Sequence, residues 1–530
     1  MARTEFLRSV LLALAVYVLG LGLLVHLSRQ TGPAQDELGT LAAIERSGDL
    51  IKRVASGGLS VLLLPEHRAT LDSGLLVLAG AWSKLSLGRL GVLDPLTAMR
   101  LPWLLLGALA PLSVHLMLTP SRGRGAGVVG ALACLVMPRF GHAVVVQRDG
   151  ALVASLVCLV LAAHVRAMGP GRSGAPGARS TLGWALFGAV LLGFGAAQSL
   201  AVLWVLPLVL LHFAWARRSS LRRLLRRGRL PMPALVLVAV PVAPLVLLLL
   251  RPGLWKTTPA TIARFFLAPL EPSIARTELA GRVVDRLPVP GGFAWTHLWH
   301  TLPLAIGLAA LVGLGVLAHE LLARRFASGS RRPPPERHAV GALAVLVIGF
   351  GLIGPALTPD VLTTFPPRVE LVMPFVALLS AIGLERLARA TGSPRTGSVL
   401  QAATLGALGL VVLLRAPTAG SSAGPLVPSS RRAVLPLGDG SELGALASRI
   451  DALGVPSVTL SAPADLSPEL WRWLFEARRL RTRVTLAAGG ELSLERGAAS
   501  GGERIAEVRR DGVVLWSLSR ARPVSARAER

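Results

Sequence analysis

The carboxylates that stand outside the apolar stretches are the residues of this chain best placed to do chemistry. Asp36 and Glu37 are adjacent in GPAQDELGTLAAIERSGDL, shortly after an apolar run ends, and Asp149 stands in PRFGHAVVVQRDGALVASL, where a polar segment turns apolar again. A carboxylate at a membrane edge is costly and is usually kept for a function. A positioned one can take a proton from a hydroxyl or an amine. Each position also suits a helix start, where an acidic side chain complements the macrodipole. Leu38, Leu41, Ala42 and Ile44 follow the pair at helical spacing, which predicts a helix lying on a membrane surface with the acidic pair opening it. His297 and His300, at i and i+3, share a helix face as two metal ligands would. The same FAWTHLWH segment reads more readily as an aromatic belt at the membrane surface.

The elements that must position these groups are apolar. The chain has 530 residues, 52% of them hydrophobic and 16% charged, against about 25% charged in average soluble domains. Apolar runs lie near 10–27, 101–118, 125–138, 150–168, 181–196, 198–216, 232–250, 301–322, 339–357, 369–388 and 400–414. A crossing needs roughly 20 residues, so these predict an all-α polytopic membrane protein with about eleven transmembrane helices. The net charge is +27, but the basic residues gather in short loops between apolar runs, which argues against a nucleic-acid partner. Cys134 and Cys158 both lie inside apolar stretches, where a thiol behaves as a small hydrophobe. They supply neither a disulfide framework nor a Cys-based zinc site. The first run is long for a removed signal and no small-x-small cleavage site follows it, so a retained anchor is expected.

Arginine sets the sidedness. Arg122 and Arg124, then Arg166, Arg172 and Arg179, the block at 217–229, Arg324 to Arg332, and Arg386, Arg389 and Arg395 all fall on one side if the N-terminus is cytoplasmic. Loops 28–100, 139–149, 251–300 and 358–368 are then external, with the C-terminal tail. Segment 73–88 is apolar, short and interrupted by Lys84, so it is expected along the interface. Counting it as a span would put the Arg block at 217–229 outside. Residues 416–430 read as a linker, because Gly, Ser, Pro and charges enter there. Beyond it, 431–530 is expected to form a small soluble α/β domain: helix 441–453, strand 457–460, helix 468–480, strand 483–487 and a hairpin over 504–519 around Asp511-Gly512.

The order of several motifs resembles a family. The Asp36-Glu37 pair, the Pro138-Arg139-Phe140-Gly141-His142-Ala143 segment leading to Asp149, Arg100-Leu101-Pro102, GFGAAQSLAVLWVLP, Trp299-His300 and Pro366-Pro367-Arg368 ahead of an apolar run are similar to polyprenyl-phosphate-sugar-dependent glycosyltransferases. The type is that of protein mannosyltransferases and lipid A aminoarabinose transferases, with the integral-membrane GT-C fold. The resemblance covers residues 1–415. Two departures stand out: Gln198 replaces a Lys that many relatives carry, and 67–74 lacks a double proline common ahead of the interfacial helix.

The resemblance implies a donor sugar on a long polyprenyl phosphate, an acceptor that is a protein, a lipid or a glycan, and transfer with inversion at the external face of a bacterial plasma membrane. By the same resemblance Asp36 is the base that takes the acceptor proton, Glu37 orients the acceptor, and Asp149 is the second acidic residue of the site. The leaving phosphate gathers negative charge, for which Arg368, Lys84, Arg139 and Lys256 are the candidate cations. Arg368 and Lys84 also suit snorkelling to lipid headgroups. His142, Trp255 and His300 are the candidate contacts to sugar or acceptor. Members of the fold differ in needing a divalent metal, and no metal ligands are assigned. Two other readings share the composition: a transporter or flippase of a lipid-linked sugar, and a non-catalytic GT-C-like subunit. Neither an internal repeat nor a mid-span carboxylate marks the first.

Overall fold

The computed structural model describes residues 2–31, 38–57, 74–85, 94–145, 149–168, 178–217, 232–251, 254, 277–279, 282–284, 295, 298, 302–326, 335–357, 368–390, 399, 403, 406, 410, 443–461, 483–486, 491–496, 503–510 and 513–520. The fold is largely helical. Among the described residues six helices are long and apolar enough to cross a membrane, and four further apolar helices are shorter. Their outward sides carry large apolar residues, such as Leu11, Leu14 and Val18, or Leu237, Val240 and Leu245. Such bands suit hydrocarbon, and the chain is an integral membrane protein.

Helix α1 (Ala2–Gln30) leans on the bundle from one side. Next, α2 (Leu38–Gly57) and α3 (Gly74–Leu85) form a hairpin-like pair. Leu41, Ile44, Ser47 and Leu50 line the buried stripe of α2, at the spacing an amphipathic helix requires. A Cβ at Gly80 of α3 would stand 2.6 Å from the backbone nitrogen of Gly48, so only glycine permits this approach. Neither helix is among those long and apolar enough to cross: α2 has the length, at 20 residues, but carries too many charges, and α3 has only 12 residues.

The expected span at 101–118 begins earlier and is interrupted. Helix α4 (Pro95–Gly107) is capped by Asp94, whose carboxylate accepts from the Thr97 amide at 3.0 Å, with proline in the first turn. After Ala108 the chain continues as α5 (Leu109–Arg122). The break has a local cause: Pro111 lacks the N–H that the Gly107 carbonyl would otherwise accept.

Beyond Gly123 (φ 94°) come α6 (Arg124–Leu135), the short α7 (Pro138–Val145) and α8 (Asp149–Met168). Helix α8 is central, with 83% of its apolar window buried against 22% for α1. Helix α9 (Ala178–Gln198) leads through a Ser199-capped 3₁₀ turn (Leu200–Trp204) into α10 (Val205–Ala216), followed by α11 (Ala234–Leu250) packed along α9. A small antiparallel pair, β1 (Thr277–Leu279) and β2 (Arg282–Val284), precedes α12 (Leu304–Phe326), α13 (Pro335–Leu357) and α14 (Arg368–Ala390). Helices α12 and α14 meet backbone to backbone. A Cβ on Gly313 would collide with the Leu379 carbonyl, and one on Gly383 with that of Ala309. Small residues at such contacts are how membrane helices approach closely.

At the arginine-rich end Arg122 makes a two-pronged ion pair with Glu320, at 2.6 and 2.9 Å, joining α5 to α12. His338 of α13 donates from Nδ1 to the same carboxylate at 3.2 Å, and Glu385 of α14 lies 4.0 Å from Arg122. Nearby, His212 Nε2 donates to the Ala339 carbonyl at 2.8 Å. Neutral His212 then accepts at Nδ1 from His164 Nε2, 3.1 Å away.

The C-terminal residues form a five-stranded mixed sheet. Its order is β4-β3-β5-β7-β6, from β3 (Ser457–Ser461), β4 (Arg483–Leu486), β5 (Leu492–Arg496), β6 (Glu503–Arg510) and β7 (Val513–Arg520). Strands β3, β4 and β5 are parallel, while β5 with β7 and β6 with β7 are antiparallel. Helix α15 (Leu443–Asp451) buries Leu443, Leu446, Ala447 and Ile450 as one stripe. The expected helix at 468–480 and the linker lie outside the described residues.

Candidate functional site

Helix α7 is the hub of one end of the bundle. It is only eight residues long, yet it touches α1, α4, α6, α8 and α14. Phe140, Ala143 and Val144 of α7 share one buried apolar cluster with Leu24 and Leu27 of α1, Leu104 of α4, Ala151 of α8 and Val372 and Met373 of α14. Two glycines allow the crowding. A Cβ at Gly107 would run into Val144, and one at Gly141 would stand 3.3 Å from a Leu27 methyl. Leu298 and Leu302, which flank His300 in sequence, belong to the same cluster.

This packing brings together helices that carry several of the sequence-derived candidates. Asp149 is the first residue of α8, Arg139 and His142 lie on α7, and Arg368 is the first residue of α14. The helices carrying them contact one another. His142 is buried, at 3% exposure. An acidic residue at the first position of α8 also meets the positive end of that helix dipole. Lys84 lies near the end of α3, whose main neighbours among the described residues are α2, α4 and α9. The described residues stop short of the Lys84, Arg139, Asp149 and Arg368 side chains. Asp36, Glu37, Trp255, Lys256, His297 and His300 lie outside the described residues altogether. Among the described residues no cluster of three or more His, Cys, Asp or Glu side chains could hold a metal ion.

Two buried ionisable residues belong to this end: Arg100, from the Arg100-Leu101-Pro102 motif but assigned no role by the sequence reading, and Glu370, which that reading did not single out. Arg100 of α4 is fully buried, and its Nη1 donates to the carbonyls of Thr31 at 2.9 Å and Ser28 at 3.3 Å, at the end of α1. Glu370, in the first turn of α14, is 1% exposed. The signal for Arg100 was present in Asp94-Pro95, a helix-start pair that puts the arginine inside a helix and not ahead of one. Glu370 carried the signal of a carboxylate inside an apolar run.

No protein-family model matches this chain, and no curated protein matches it. Among solved structures it is similar to ArnT, an aminoarabinose transferase, from Cupriavidus metallidurans bound to undecaprenyl phosphate. That similarity is 14% identity over 98% of each chain, with a TM-score of 0.46. It is also similar to the archaeal oligosaccharyltransferase AglB from Archaeoglobus fulgidus in complex with an inhibitory peptide and a dolichol-phosphate. There the identity is 13% over 88% of this chain and 64% of the other, with a TM-score of 0.49. Both are glycosyltransferases of the GT-C fold.

Proposed function

We propose that the chain is an integral-membrane glycosyltransferase that moves a sugar from a polyprenyl-phosphate donor to a hydroxyl or amine of a protein, lipid or glycan acceptor. The observation that carries this reading is the meeting at α7 of the helix ends bearing Asp149, Arg139, His142 and Arg368, beside the end of α1 from which the chain runs on to Asp36-Glu37. The order of motifs in the sequence supports the same reading.

In this reading the lipid tail of the donor stays in the bilayer and the sugar meets its acceptor at the external face, with the N-terminus cytoplasmic and the membrane that of a bacterial cell. Asp36 takes the proton of the acceptor as its oxygen or nitrogen attacks the anomeric carbon, and Glu37 orients that acceptor. The bond from the anomeric carbon to the phosphate oxygen breaks on the opposite side, which inverts the configuration. Polyprenyl phosphate leaves with the bonding electron pair. Arg368 and Arg139, with Lys84 and Lys256, neutralise the charge that gathers on it, and a guanidinium fork fits two phosphate oxygens. Asp149 holds acceptor or sugar hydroxyls, while His142, Trp255 and His300 contact the sugar. Residues 1–415 form the transferase unit, 416–430 a linker and 431–530 an external α/β domain.

The test is release of free polyprenyl phosphate from a panel of labelled polyprenyl-phosphate sugars, using membranes with wild-type protein or Asp36→Asn. Asparagine keeps the size of the side chain but cannot take a proton. Wild type is expected to release carrier from one donor, and the variant to lose roughly 10²- to 10⁴-fold in rate. Equal rates would remove Asp36 from catalysis. Silence on every donor, with lipid-linked sugar crossing vesicle leaflets in parallel, would favour a transporter.

A further inference from the structure

Arg100 is a guanidinium with no solvent exposure, on a helix that belongs to an apolar span. Such a group is tolerated only where hydrogen bonds replace the water it has lost. Its partners are specific. The carbonyls of Ser28 and Thr31 lie where α1 ends, and the last carbonyls of a helix have no acceptor role left inside the helix. That end also carries the negative pole of the helix dipole, which a cation offsets. A second tie reinforces the first: Ser28 Oγ donates to Thr97 Oγ1 at 3.3 Å, one turn before Arg100 on α4. Thr97 is itself fixed by the Asp94 cap.

We infer that Arg100 is a positioning residue, whose hydrogen bonds to the end of α1 fix where the chain departs toward Asp36 and Glu37. The inference rests on the proposed transferase reading. Asp36 follows Thr31 by five residues, so its Cα can lie at most roughly 18 Å from that of Thr31. Releasing α1 from α4 moves the centre of that sphere. Arg100 acts through the backbone of α1 and does not touch the donor.

The experiment uses the full chain in nanodiscs, with Arg100→Met and with a Ser28→Cys/Thr97→Cys pair placed where the two hydroxyls now meet. Ser28 and Thr97 are as buried as Cys134 and Cys158, so both native cysteines are replaced by alanine throughout and the introduced pair is the one that oxidises. Arg100→Met is expected to lower kcat for carrier release roughly 10- to 100-fold, as small misplacements of reacting groups do, with donor KM within twofold of wild type. Oxidising the cysteine pair in the Arg100→Met background is expected to restore kcat, and reduction to abolish it again. Oxidation is also expected to be slower with Arg100→Met than with Arg100 intact. A rise in donor KM at constant kcat, or full oxidation with no recovery, would overturn the inference. Equal oxidation rates in the two backgrounds would overturn it as well. That last measurement needs no activity, so a wild type silent on every donor would sink the transferase reading while the role of Arg100 in holding α1 is still tested.

Discussion

Asp149 and Asp36 are assigned different work, and kinetics separates them. A base that takes a proton in the transition state shows its loss in kcat. A carboxylate that only holds a hydroxyl shows it mainly in acceptor KM. Asp149→Asn is therefore expected to raise acceptor KM by about tenfold or more, since a hydrogen bond to a charged group contributes around 1.5–3 kcal/mol. Initial rates over a range of acceptor concentrations check this, and a fall in kcat with constant KM would assign Asp149 to the chemistry. The position of Asp149 was legible because composition switches there from polar to apolar, and the structure has a helix starting at that residue. Arg100 was less legible. An arginine at the border of an apolar run looks the same in composition whether it faces headgroups or is enclosed by protein. Only the acceptors supplied by α1, some seventy residues earlier in sequence, decide between the two.

Between helices, the contact of α12 with α14 is the most demanding. Any side chain at Gly383 meets the Ala309 carbonyl and the Gly313 nitrogen, which are backbone atoms and cannot swing aside. Gly383→Ala is expected to destabilise the protein by about 3 kcal/mol, at the upper end of ordinary overpacking. Gly349→Ala on α13, where a Cβ would meet nothing within 4 Å, is the matched control and is expected to be near neutral. Thermal unfolding in one detergent compares the two, and equal shifts would refute the close approach. This contact was beyond sequence reading, because Gly313, Gly349 and Gly383 look alike until two helices are laid side by side. Helix ends were partly legible. The Arg-rich loop at 217–229 marked where α10 stops, but the run at 101–118 hid both the Asp94 cap and the break imposed by Pro111.

For the molecule as a whole, apolar length and arginine placement carried most of what sequence could say about the fold. The apolar runs from 10–27 to 369–388 coincide with apolar helices, of which six reach full crossing length. Sidedness is open to a direct measurement. With Cys134 and Cys158 buried, a single cysteine introduced at Ser219 or at Ser273 stands out against a quiet background. In intact cells a membrane-impermeant maleimide is expected to label the Ser273→Cys protein and spare Ser219→Cys. The reverse result would invert the topology.

The latch between α1 and α4 also bears on how the chain is made. Helix α1 leaves the ribosome before α4 and, with little of its surface covered by protein, can wait in lipid on its own. Arg100 follows on a later helix, and by then its two acceptor carbonyls already stand in the bilayer. Synthesis thus delivers the acceptors before the donor. A chain started downstream of α1 would bring the same guanidinium into hydrocarbon with those acceptors missing, so α1 serves as an assembly template for α4.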